Sequence, residues 1–201
     1  MAVKPTSIPP FPEAEYMLVI SPEEHLQERI ARVRQSLSEK TGIRTREGKT
    51  HITLARWQAW DMMEERLLQR LRVLAMEQYP FQVQMEDFKG FPSHTVCIQV
   101  PTREPILRLV ARVRKHKRLM RSMENDPYFV SEPYLTIARG LTAPQYEQAM
   151  QVLGGKHFHA SFVASAMLLL KRRAGGQPYQ ILARFDFEHL PVTARQASLF
   201  A

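Results

Sequence analysis

The sequence predicts an α+β fold with two similar halves, and three observations carry that expectation. Segments with a period of two are interleaved with segments of helical period, yet some strand segments follow one another directly, unlike a strict βαβ chain. One short strand pattern occurs twice, as HITLARW at 51–57 and YLTIARG at 134–140, with Thr, Ala and Arg in register. The chain has 201 residues, 44% hydrophobic and 24% charged, which is ordinary globular usage. That length suits one domain, here two lobes about a pseudo-twofold axis.

Residues 1–12 carry four prolines and read as an extended arm, followed by a single domain over 13–190 and a tail over 191–201. YMLVI at 16–20 is a short apolar strand. Ser21 is the expected N-cap of the next helix, with Glu23 and Glu24 in its first turn, where the helix dipole favours negative charge. Leu26, Ile30, Val33 and Leu37 form its apolar stripe, and Thr41-Gly42 ends it. HITLARW is the next strand, and Asp61 is expected to cap the helix bearing Met63, Leu67, Leu71 and Leu74. FQVQMEDF at 81–88 alternates as a half-buried strand does, and TVCIQV at 95–100 follows it. A basic amphipathic helix is expected over 104–121, then a loop centred on Asn125-Asp126-Pro127. PYLTIARG at 133–140 is a strand, 142–153 a helix stopped by Gly154-Gly155, and 158–173 and 179–190 the last two strands.

Composition excludes several classes. No apolar run approaches the ~20 residues that a membrane span requires, and the first residues lack the apolar core of a signal peptide. One cysteine, Cys97, forbids an internal disulfide and most zinc sites, which points to a reducing, cytoplasmic setting. The net charge of +8 favours polyanionic partners without naming one.

The repeated strand carries the chemistry. Alternation places His51, Thr53 and Ala55 on one face and Tyr134, Thr136 and Ala138 together in the second copy. Facing each other about a dyad, an imidazole and two hydroxyls converge on one point. Hydroxyls can donate to non-bridging phosphate oxygens, and an imidazole to a leaving or bridging oxygen.

An H-x-T strand motif repeated about eighty residues on resembles the two-histidine (2H) phosphoesterase superfamily, whose members include RNA 2′,3′-cyclic phosphodiesterases historically called 2′-5′ RNA ligases. The resemblance spans residues 14–190. It implies a bilobal fold with two antiparallel sheets facing a central groove and helices outside. It also implies action without metal or other cofactor on cyclic phosphates or 2′-5′ linkages of RNA ends or nucleotides. The catalytic positions it implies here are His51, Thr53, Tyr134 and Thr136. The family places a histidine where this chain has Tyr134. A tyrosine, with a pKa of about 10, is protonated at neutral pH and is a poor base. Impaired or redirected chemistry is therefore expected, and a non-catalytic RNA-end or nucleotide binding module is the alternative.

Other candidates are weaker. Arg56 and Arg139 stand at matched positions, on the strand face away from His51. Salt bridging is their favoured role and phosphate contact the alternative. His94 lies before a strand and is a candidate substitute base. Lys171, Arg172 and Arg173, and the cationic helix from Arg108 to Arg121, are candidate RNA contacts set against solvated faces. His157 and His159 share a strand face, as metal ligands can, but without a third ligand no metal is expected. Tyr179 and Phe185 read as core or as a base-stacking wall. QASLF at 196–200 resembles the pentapeptide that docks bacterial proteins on the DNA sliding clamp. Leu199 and Phe200 would fill an apolar pocket while Gln196 sets orientation.

Overall fold

The strand expected over 158–173 breaks at Ser165, and that break organises the whole sheet. In the computed structural model, which describes residues 13–45, 48–122, 125–173 and 178–190, the two pieces serve different halves. The proposed arm and tail lie outside the described residues.

The elements, in chain order, are β1 (Glu13–Ile20), α1 (Glu24–Thr41), β2 (Ile52–Trp60), α2 (Glu64–Met76), β3 (Phe81–Phe91), β4 (Thr95–Gln99), α3 (Glu104–Arg114), β5 (Tyr128–Phe129), β6 (Tyr134–Ala138), α4 (Ala143–Leu153), β7 (His159–Ala164), β8 (Ala166–Arg173) and β9 (Gln180–Asp186). The strands form one antiparallel path, β7-β3-β4-β6-β2-β1-β8-β9, with β5 added on β2. The two expected sheets are the two four-stranded halves of this path. They are joined by one residue pair, Ile52 with Leu135. Strand β7 completes one half against β3, and β8 crosses to the other half against β1.

Helix α1 buries Leu26, Ile30 and Leu37, as its periodicity predicts, and Gly42 stops it at φ 68°, a left-handed value that glycine adopts without strain. Two expected caps are corrected. Glu23, not Ser21, holds the N-cap position of α1, with no side-chain cap bond. The Ser21 hydroxyl instead meets the Gln27 amide at 2.9 Å. Asp61 opens a short 3-10 turn ahead of α2 and caps nothing. Its carboxylate accepts from the Tyr16 hydroxyl at 3.2 Å and pairs with Lys171. Helix α3 buries Ile106, Leu109, Val110 and Val113, but stops at Arg114, and a separate 3-10 turn over Lys117–Leu119 follows. Its Arg112 is drawn to Glu77 and to the Leu74 carbonyl at the end of α2. The Tyr128–Phe129 strand falls where the sequence predicts only loop, because two residues are too short to show a period.

The core is continuous across both halves. Leu18, Ile20, Ile52, Leu54, Leu135 and Ile137 are all at most 1% exposed. Trp57 and Tyr16 stack with ring centres 5.6 Å apart. Beside them Tyr16 donates to Glu64 of α2 at 2.8 Å, so this face of the sheet is covered by helix.

Candidate active site

The Ile52–Leu135 junction sets the site. Both side chains are fully buried, so their sequence neighbours point to the opposite face. In antiparallel register around that pair, Thr53 and Tyr134 flank it on one side and His51 and Thr136 on the other. All four are partly exposed. The ladder between β2 and β6 holds this one pair, and helix α1 bridges the halves beside it through Arg34.

Both copies of the motif bulge at the same place. In β2 the partners of β1 step from Thr53 to Ala55, leaving Leu54 extra. In β6 the partners of β4 step from Thr136 to Ala138, leaving Ile137 extra. A bulge shifts the alternation by one residue. Arg56 consequently pairs with Met17, whose Sδ receives the Thr53 hydroxyl at 3.7 Å. Cross-strand partners share a face, so Arg56 lies on the Thr53 face and not on the opposite one that strict alternation predicts. Its guanidinium lies 5.6 Å from the centre of the Tyr128 ring on β5.

Burial is the main cause that raises the Tyr134 pKa above its ordinary value, with neighbouring Tyr128 and Cys97 adding to it. The positive charges of Arg56 and Arg139 act the other way but do not win. Tyr134 is thus a donor, not a base, near neutral pH. Phe91 packs against it with centroids 4.9 Å apart.

Two residues that hold the motif strands carry no motif of their own in the sequence. The Gln27 side chain makes a reciprocal pair with Thr50, donating to its carbonyl and accepting from its N–H, both at 2.7 Å, one residue before His51. Arg34 donates to the Thr136 carbonyl at 2.7 Å and to the Gly48 carbonyl at 3.1 Å, tying the second motif to the approach of the first. Both are polar residues set three or four positions from Ile30, beside the apolar stripe of α1, which is the one available signal.

The remaining candidates scatter. Arg172 is bound to Glu15 at 2.6 Å and lies over the Tyr179 ring, whose hydroxyl also donates to Glu15. Lys171 pairs with Tyr16 across β1 and reaches Asp61 and Glu64, on the helix-covered face. By alternation Arg173 follows it there. His94 sits in the β3–β4 turn with its ring 5.4 Å from Tyr146 of α4. Phe185 is core, 3% exposed. His157 and His159 meet a third group, Asp87, from β3. Gln196, Leu199 and Phe200 lie outside the described residues. Among the described residues no helix is long and apolar enough to cross a membrane.

The family model of the 2′-5′ RNA ligase superfamily matches residues 22–176. The chain belongs to that superfamily. Solved structures share the fold of this superfamily member at low sequence identity. A crystal structure of Escherichia coli LigT complexed with NADP+ superposes with a TM-score of 0.64 at 18% identity, over 88% of this chain and 99% of that one. A structure described as a phosphoesterase gives 0.63 at 20% identity, over 88% and 98%. A protein of Thermus thermophilus gives 0.65 at 16% identity, over 87% and 98%. No curated protein sequence matches the chain.

Proposed function

We propose that this protein is a phosphoesterase for 2′,3′-cyclic phosphate or 2′-5′ linked RNA ends or nucleotides, slowed by Tyr134 at the position of the second catalytic histidine. The Ile52–Leu135 register supports this reading above all, because it sets an imidazole, two threonine hydroxyls and a phenol around one strand junction. The Escherichia coli LigT structures, described as complexes with 3′-AMP, ATP, NADP+ and phosphate, make a nucleotide phosphate the natural ligand of this junction.

In this mechanism Thr53 and Thr136 donate to the non-bridging oxygens. Arg56, brought to this face by the bulge, and Arg139 supply positive charge to the phosphate. His51 protonates the departing ribose oxygen as its bond to phosphorus breaks, while water forms the new bond to phosphorus and releases its proton to solvent. Tyr134 steadies a phosphate oxygen by donation, but it cannot take the proton from the attacking water. That missing step costs ~10²–10⁴ in rate. The protonated state of Tyr134 equally favours a second reading, a module that binds RNA ends or nucleotides without turnover.

Hydrolysis of a 2′,3′-cyclic nucleotide separates the two. Slow turnover that His51→Ala abolishes and Tyr134→His raises by ~10²–10⁴ supports the enzyme. Binding without turnover in the wild type supports the binder. Turnover indifferent to His51→Ala overturns the assignment of the groove.

A further inference from the structure

We propose that Asp87, His157 and His159 form a binding site for one divalent transition-metal ion of the zinc type, at the outer edge of the sheet. The site lies on β3 and the entry to β7, separated from the Ile52–Leu135 junction by β4 and β6. One potential ligand atom from each residue falls within 4.8 Å of the other two.

The backbone aims the carboxylate. Asp87 is the extra residue of a bulge, where the partners of β4 step from Glu86 to Phe88. Its φ is 45°, a left-handed value that non-glycine residues seldom hold. Bulges re-aim side chains in this way. The residue is then clamped: its N–H donates to the Phe158 carbonyl at 2.8 Å, and its Oδ1 accepts from the Phe158 N–H at 2.9 Å. That same Phe158 separates the two histidines. The bulge thus presents an oriented carboxylate to an H-x-H pair whose alternation puts both rings on one face. The rings lie nearly parallel, 13° apart.

The distances suit a small ion. His157 Nδ1 is 3.4 Å from Asp87 Oδ1, close to the roughly 3.3 Å between neighbouring ligands of a tetrahedral ion with bonds of about 2.0–2.1 Å. His157 and His159 are 84% and 64% exposed, which leaves the rings room to turn the last ångström inward. The Glu86 carboxylate, 3.9 Å from His159 Nδ1, adds negative charge and an orienting partner for that ring. Of the cations nearby, which include Arg32 and Lys156, Arg29 from α1 is turned to the His159 carbonyl at 2.9 Å and to the face of the Phe158 ring. Two imidazoles and one carboxylate are a borderline donor set, which suits Zn²⁺ and its neighbours better than Mg²⁺ or Ca²⁺. A bound ion would pin β7, an edge strand, to β3.

The full-length, metal-stripped chain, free of any histidine tag, is titrated with Zn²⁺ against a chromophoric chelator, and its melting is followed in parallel. The expected result is one ion per chain with a dissociation constant below about 10 μM, and a melting temperature that rises with Zn²⁺ but not with Mg²⁺. Asp87→Asn keeps the acceptor for the Phe158 N–H, and His157→Ala with His159→Ala alters exposed rings only, so both variants retain the fold. Each is expected to weaken binding at least tenfold and to abolish the thermal shift. Zn²⁺ binding unchanged in the double histidine variant, or none tighter than about 100 μM in the wild type, overturns the proposal.

Discussion

Replacing Lys171 by methionine tests whether this cation holds the fold together or meets RNA. Its Nζ lies 2.5 Å from Glu64 and 3.0 Å from Asp61, and the Tyr16 hydroxyl donates to the same two carboxylates. The lysine is 16% exposed, Asp61 26% and Glu64 21%. Methionine keeps the stem and removes the ammonium, leaving two carboxylates face to face over one phenol. An exposed pair is worth about 0–1 kcal/mol, while breaking a buried one costs about 3–5 kcal/mol. This half-sheltered triad falls between them, at about 2–4 kcal/mol. For a chain of this size that lowers the melting temperature by roughly 5–15 °C. Burial disfavours the Lys171 charge, but the hydrogen bonds and charges of Glu64 and Asp61 outweigh it, so its pKa is raised above the ordinary 10.5. A raised folded-state pKa stabilises fully below the unfolded value and is lost as pH climbs through the folded one. The gap between wild type and variant should therefore hold up to about pH 10.5 and close above it. Thermal melts over a pH series measure this. An unchanged melting temperature combined with weakened nucleotide or RNA binding would refute the reasoning and return Lys171 to the ligand.

Three other outcomes follow from single residues or segments. Cys97 is fully buried, and burial above all pushes its thiol up to about 12. A chromogenic disulfide reagent at about pH 8 should label it only after unfolding, one thiol per chain. Since the unfolded thiol ionises first, its contribution to stability should fall as pH rises from 9.0 towards about 12, read as a falling denaturant midpoint. The clamp-like pentapeptide at 196–200 predicts capture of the protein by a bacterial sliding clamp, lost on deleting residues 196–201. Capture that survives the deletion removes that role.

Most of the element order was legible because it rests on local patterns. The α1 stripe of Leu26, Ile30 and Leu37, the alternation through Val83 and Met85, and the turn at Gly42 each follow from spacing within one segment. The errors share one cause. Ser21 and Asp61 have the chemistry of caps, yet partners remote in sequence, or folded back from the helix, took their side chains: Gln27 for the first, Tyr16 and Lys171 for the second. Ser165 carries no breaker signal, and only the demand of β3 and β1 for separate partners divides 158–173 there.

The candidate site divides along the same line. The repeated motif announces His51, Thr53, Tyr134 and Thr136 in the order of residues alone, since alternation within a strand needs nothing beyond the backbone. Which way Arg56 points, which carboxylate joins His157 and His159, and that Gln27 and Arg34 brace the motif strands could not be read there. Each depends on a bulge or a contact between residues distant in the chain. A bulge is defined by the partner strand, which is one residue shorter, and the sequence of a single strand does not say who its partner is.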